Sequence, residues 1–192
     1  MKTYQVITPA STYPVSLTEA KSHLKVDTTA DDTYITSIIK AATQLSEEYT
    51  NRFFIDTVIE QYASSFADLQ TLFKSKVSAV AHVKYYDSDN SLQTLSATIY
   101  DTQLQYEPSQ IQLADDKSFP TITKRNDAVV ARYTVGYGSA ASDVPEIIKQ
   151  AILLTIGNFY QNRNSVVIGR IATELPMNVK WLLDTYKVQI VG

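Results

Sequence analysis

Apolar residues recur along the chain with two different periods, and the period changes twice. Leu17, Ala20 and Leu24 are spaced by three and four, as on one face of a short helix. Ser16-Leu17-Thr18-Glu19 reads as a capping box in front of it, with Glu19 reaching back to the cap. After a polar stretch from Asp27 to Asp32, the positions Ile35, Ile38, Ile39, Ala42, Leu45 and Tyr49 form a second, longer stripe that ends near Asn51. Asp31 and Asp32 stand where negative charge favours a helix N-terminus. From about Ile55 the period falls to two. Thr57 to Phe66, Ala79 to Tyr86, Leu92 to Leu95, Ile99 to Tyr106, Gln110 to Leu113 and Val129 to Val135 read as strands. Asp87-Ser88-Asp89-Asn90-Ser91 is turn chemistry and predicts a hairpin. The polar run Asp115 to Asp127, with Pro120, is expected to be an exposed loop. The helical period then returns in the most apolar helix of the chain.

That last helix organises the pattern. Gly136 and Gly138 flank Tyr137 in a tight turn. Ser142 or Asp143 is positioned to cap the helix, and Pro145 lies near its first residue. Val144, Ile147, Ile148, Ala151, Ile152, Thr155 and Phe159 follow the helical spacing, and Leu153, Leu154, Ile156 and Tyr160 widen the stripe. A helix this apolar needs cover on more than one side, from its own chain or from a neighbouring copy. Asn162 to Leu175 shows no clear period and is expected to be a mobile or partner-ordered loop. Pro176 opens a final helix with Val179, Leu182, Leu183 and Tyr186 on one face and Trp181 beside it. The ending Lys187 to Gly192 has strand character and suits β-augmentation on another chain. Residues 1–14 look extended, broken by Pro9 and Pro14. The expected architecture is α+β: a helical, bundle-like body built from both chain ends (1–55 and 138–192) with a β-rich insertion (56–137).

Composition narrows the chemistry. The chain has 192 residues, no cysteine, two histidines and a net charge of −3. Disulfides and thiolate sites are excluded, and a multi-histidine metal site is not expected. Basic residues are scattered over different elements, so there is no stripe to grip a nucleic-acid backbone. The uncharged run Gln150 to Asn162 covers 13 residues, short of the roughly 20 needed to span a bilayer. The N-terminal residues lack the apolar stretch of a signal peptide, so a soluble protein made in a cytoplasm is expected. Thirteen tyrosines suit exposed sheet faces and interfaces.

Individual motifs read mostly as structure. Thr134-Val135-Gly136-Tyr137-Gly138 spells a potassium-channel filter, but it follows a strand with Arg132 and no spanning helices surround it. Asp87-x-Asp89-Asn90 begins like a calcium loop, yet Leu92 and Thr98 stand where an EF-hand needs Gly and Glu. His23 and His82 belong to no nucleophile motif, and no GxSxG, P-loop or HExxH occurs. Glu47-Glu48 and Asp115-Asp116 read as solvated acidic pairs. No catalytic residue, metal site or cofactor is expected.

The order of the motifs carries more than any one of them. PVSLTEAKSHLKV is followed by DDTYITSIIKAATQLSEEYTNR and a β block ending ARYTVGYG. VPEIIKQAILLTIGNFYQNR and ELPMNVKWLLDTYK complete the series. Across essentially the whole chain this resembles the tailed-phage head–tail connector proteins (adaptor or head-completion proteins), in the subgroup with a β insertion. The resemblance implies a structural subunit and no enzyme, located at the head–tail junction of a virion. It implies a closed head-to-tail ring of about twelve copies, docked on the portal protein and presenting a surface to the next neck component, a stopper or tail-completion protein. DNA would pass through without sequence-specific binding, and no membrane is involved. Ile147, Ile148, Ile152, Phe159 and Tyr160 are the expected subunit-packing residues; Trp181, Leu182, Val188 and Ile190 are the expected partner-docking residues. The alternatives are another neck or tail-completion role, of the stopper kind; an enzyme or small-ligand domain using the β block around His82 and Tyr85; and an ordinary monomeric domain.

Overall fold

The computed structural model describes residues 3–74, 76–163 and 175–188. The fold is α+β. The chain divides into two compact units, a β unit (Met1–Ala10, Asp56–Tyr137, Val188–Gly192) and a helical unit (Ser11–Ile55, Gly138–Lys187). The helical unit is thus assembled from two distant stretches. Residues 1–10, expected in the helical body, belong instead with the β unit, because their first strand pairs into its sheet.

In the β unit, β1 (Thr3–Thr8), β2 (Thr57–Ala63), β3 (Val77–Tyr86), β4 (Leu92–Thr94) and β7 (Val129–Val135) form one antiparallel sheet. Its order is β1-β2-β7-β3-β4, so the last of these strands in sequence lies at the centre. β5 (Tyr100–Gln103) and β6 (Gln110–Leu113) pair separately as a small hairpin. A four-residue helix, α3 (Phe66–Leu69), was not foreseen. Its start is set by Ser65, whose hydroxyl accepts from the Asp68 amide. Period two holds along β2 and β7, whose inward residues Ile59, Gln61, Ala63, Ala131, Tyr133 and Val135 are fully buried. Phe66, Leu69, Leu72 and Ile111 are buried in the same unit, and α3 contacts both β2 and β7. Two register shifts break the alternation of β3, between Val77 and Ala79 and between Val80 and His82. Ala79 and Ala81 are therefore exposed, while Val77 and Val83 are the buried residues of that strand. The polar loop after β6 is not wholly solvated, since Phe119 stacks on Phe66 with ring centres 4.2 Å apart.

A polar network sits inside this apolar layer. The Gln61 side-chain oxygen accepts from the Tyr133 hydroxyl at 2.6 Å and the Phe73 amide at 2.8 Å. The Gln61 side-chain amide donates to the Thr71 carbonyl at 3.0 Å. Tyr133 also accepts from the Phe73 amide. Burial pushes the Tyr133 phenol far above its ordinary range, so it stays a protonated donor.

Gly136 ends β7 in a conformation other residues avoid, with φ at 149°. Its amide donates to the Lys76 carbonyl, and a Cβ here would lie 2.6 Å from the Asp56 amide nitrogen. Backbone occupies that space, so Gly136→Ala is expected to cost about 2–4 kcal/mol. Urea unfolding measures it. A midpoint equal to the parent protein's would refute this account of the turn.

In the helical unit, α1 (Leu17–Leu24) begins with the expected capping box: Glu19 accepts from the Ser16 amide and Ser16 Oγ from the Glu19 amide. α2 (Asp32–Thr50) ends at Asn51, which adopts the left-handed conformation (φ 56°) while the Arg52 amide returns to the Glu47 carbonyl. Asparagine tolerates that conformation better than most residues, which is why the helix stops there. α4 (Glu146–Gln161) packs chiefly on α2 and also meets α1 and α5 (Met177–Asp184). Pro145 itself takes the cap position of α4, with no side-chain cap. Asp143 caps a preceding 3-10 turn, Ala141–Asp143, by accepting from the Ala140 amide at 2.9 Å, so neither Ser142 nor Asp143 serves α4 as expected. Among the described residues, no helix is long and apolar enough to cross a membrane.

Candidate assembly surface

α4 divides its apolar residues between two environments. Ile148, Ala151, Ile152, Thr155 and Ile156 are buried against the other helices of the unit, and Thr155 returns its hydroxyl proton to the Ala151 carbonyl. The structure thus places Ile148 and Ile152, expected at a subunit contact, in the chain's own core, where neither has surface to offer. Ile147 points the other way and is 46% exposed. Phe159 and Tyr160 are half-buried near the end of the helix. Gly157 marks where α1 approaches: a Cβ there would stand 3.5 Å from His23 Nε2, an ordinary contact. His23 itself is exposed on α1.

The last turn of α4 is fixed by a cluster that the sequence reading missed. Asp31, just before α2, accepts from the Tyr160 hydroxyl at 2.6 Å and from the Arg163 guanidinium at 2.7 Å. That guanidinium lies 4.5 Å from the ring centres of both Tyr34 and Tyr160. Tyr34 donates to the Phe159 carbonyl. The Arg163 hydrogen bond, then the Tyr160 hydroxyl, holds the Asp31 carboxyl below its usual range. Only the tyrosines at the two helix ends hinted at it in the sequence.

α5 buries Val179 and Leu183 and leaves its largest apolar groups outside. Trp181 is 71% exposed and Met177 65%, four residues apart and so on one face. Leu182 is half-buried. The helix is tied down at its end: Tyr49 donates to Asp184, Arg52 Nε donates to the Tyr186 carbonyl, and Lys187 lies over the Tyr49 ring. Val188, expected to dock a partner, is buried, and Ile190 lies outside the described residues, as does most of the Asn162 to Leu175 stretch. Met177 is the docking candidate that sequence reasoning passed over. Its spacing from Trp181 was the available signal.

His82 lies beside a ladder of paired charged side chains in the β unit. Register sets His82 opposite Arg132, and Arg132 opposite Glu60. Arg132 and Glu60 form an ion pair at 2.6 Å, and Tyr62 donates to Glu60. Burial, with the Lys84 and Arg132 charges, lowers the His82 pKa, and its Nε2 has no hydrogen-bond partner. Among the described residues, no three His, Cys, Asp or Glu side chains are grouped to hold a metal.

Residues 14–116, from the start of the helical unit through β6, match the family model described as "Phage gp6-like head-tail connector protein". The chain belongs to that connector family. No curated protein matches it. Solved structures share the connector's fold over nearly its whole length. One, described as the neck of an empty GTA particle computed with C6 symmetry, has a TM-score of 0.79 at 19% identity, covering 98% of this chain and 97% of that one. A second comes from the virion of a native gene transfer agent (GTA) particle, with a TM-score of 0.73 at 20% identity, covering 98% and 96%. A third, the neck of a native GTA particle computed with C12 symmetry, has a TM-score of 0.70 at 19% identity, covering 100% and 97%. The family match ends before α4, so these likenesses are what extend the connector fold to the C-terminal helices.

Proposed function

We propose that this connector protein is one wedge of a ring of about twelve copies at the head–tail junction of a phage or phage-like particle. The ring docks on the portal protein, continues the DNA channel and receives the next neck component. The observation that carries this reading is the family match over residues 14–116, joined to the full-length likeness to neck structures computed with C6 and C12 symmetry. The role is structural, without catalysis. A chain of net charge −3 with dispersed basic residues lets DNA slide past, where a basic lumen would hold its phosphates. Ile147, with the half-buried Phe159 and Tyr160, offers α4's surface to a neighbouring wedge. Trp181, Met177 and Leu182 offer α5's surface to the portal or the next neck component.

Co-sedimentation with the cognate portal ring tests the reading. The parent protein is expected to pellet with portal, and native mass spectrometry of the complex to count twelve copies. Met177→Ser with Trp181→Ser is expected to reduce binding at least tenfold, with the melting temperature unchanged because both side chains are already in water. Failure of the parent protein to bind portal would refute the reading, and a count of six would favour a stopper-type role.

A further inference from the structure

We propose that Asp31 is a two-position switch. In one position it holds the end of α4; in the other it caps α2. Three N-caps in this chain make the comparison. Ser16 and Ser65 both cap with their side chains, and both have extended backbones, with ψ at 161° and 163°. Asp31 occupies the same position before α2 and is among the best capping residue types, yet no side chain caps that helix and its ψ is 3°. The carboxylate is turned away to Tyr160 and to both terminal nitrogens of Arg163, at 2.6, 2.7 and 3.3 Å.

The two uses go with different backbones, because capping residues are typically extended, as Ser16 and Ser65 are, whereas Asp31 holds the clamp at a ψ of 3°. Each position satisfies a real demand. The first turn of α2 has amides with no intrahelical acceptor and a positive partial charge. Arg163 lies over two neighbouring tyrosine rings, where a carboxylate completes its neutralisation. Water reaches the pair, since the Asp31 and Arg163 side chains are 30% and 45% accessible, so the ion bond exchanges readily and salt weakens it. When Arg163 leaves, Asp31 swings to accept from the amide of Tyr34, three residues on. Opening therefore loosens the last turn of α4 while it tightens the first turn of α2. A merely structural ion pair would loosen both ends together.

That opposition of sign is measurable by residue-resolved amide exchange on the full chain. In Arg163→Ala protection at Tyr34 is expected to rise by about fivefold, the factor an N-cap is worth, and by less in Tyr160→Phe, which keeps Arg163, while protection at Asn158 to Asn162 falls in both. Raising sodium chloride moves the parent protein the same way. Asp31→Asn keeps the capping ability without the charge and is expected to behave like Arg163→Ala; Asp31→Ala loses protection at both ends. Unchanged or reduced protection at Tyr34 in Arg163→Ala, with the fold intact by circular dichroism, would overturn the switch.

Discussion

Replacing Gln61 by leucine is expected to destabilise the protein by about 2–4 kcal/mol, although leucine is nearly the same size and more apolar. The site is fully buried, so transfer from water favours the variant. What decides the sign is the partners left behind. Gln61 is the acceptor for Tyr133 and Phe73 and the donor for the Thr71 carbonyl. Without it, Tyr133 and Phe73 can still serve each other, at 3.0 Å and 3.2 Å. Thr71, which is half-buried, has no such substitute among the described residues, and a carbonyl facing leucine instead of its donor loses that bond and part of its solvation. Thr71 also bridges to Gln110, and the neighbouring Leu72 amide donates to the Ser109 carbonyl. The loss therefore loosens the seating of the β5–β6 hairpin as well. Tyr133→Phe removes one spoke of the network and is expected to cost about 1–2 kcal/mol, less than the hub. Urea unfolding of both variants decides. Equal costs would mean that Tyr133, not Gln61, organises the network.

Ile152→Ala and Ile147→Ala, five residues apart on α4, are expected to separate folding from assembly. Ile152 is fully covered, and its truncation leaves a cavity costing about 2–5 kcal/mol. Ile147 is nearly half in water, and its truncation is expected to change stability by about 0.5 kcal/mol at most. Under the ring reading the order reverses in an assembly assay. Ile147→Ala folds normally and forms rings on portal poorly, whereas Ile152→Ala assembles whenever it is folded. Thermal melts and ring yield on portal, taken on the same preparations, measure both. Full ring yield from Ile147→Ala would remove α4's outer face from the subunit contact.

The four longer helices, the stop of α2 and the hairpin after β3 were legible because each is a local matter of spacing, caps and turn residues. Asn51 ends α2 through its own backbone, and Ser16 starts α1 through a side chain three residues from its partner. The order of strands was not legible. Alternation tells which face of Val129–Val135 is buried, not that this strand lies between β2 and β3. Nor could spacing reveal that TYQVIT near the start pairs with β2, or that two register shifts in β3 would expose Ala79 and Ala81. The candidate surface divides in the same way. The breadth of α4's stripe showed that it needed cover on several sides. Only the placement of α1, α2 and α5 shows that Ile148 and Ile152 are covered by the chain itself and Ile147 is not. The Asp31 cluster joins residues some 130 positions apart, and no local pattern carries such a contact.

The central place of β7 has a consequence for how the protein is made. β2 and β3 each need β7 as a neighbour, so the sheet stays incomplete until Val129–Val135 has left the ribosome. The helical unit waits longer: α2 ends at Thr50, and its main partner α4 begins at Glu146. At translation rates of about 5–20 residues per second, the apolar side of α2 stands uncovered for roughly 5–20 s. During that interval Ile35, Ile38, Ile39 and Ala42 are available to chaperones or to the same segment on a neighbouring nascent chain. Yield in the cell should therefore respond to translation speed and chaperone supply more than the finished fold's stability would indicate.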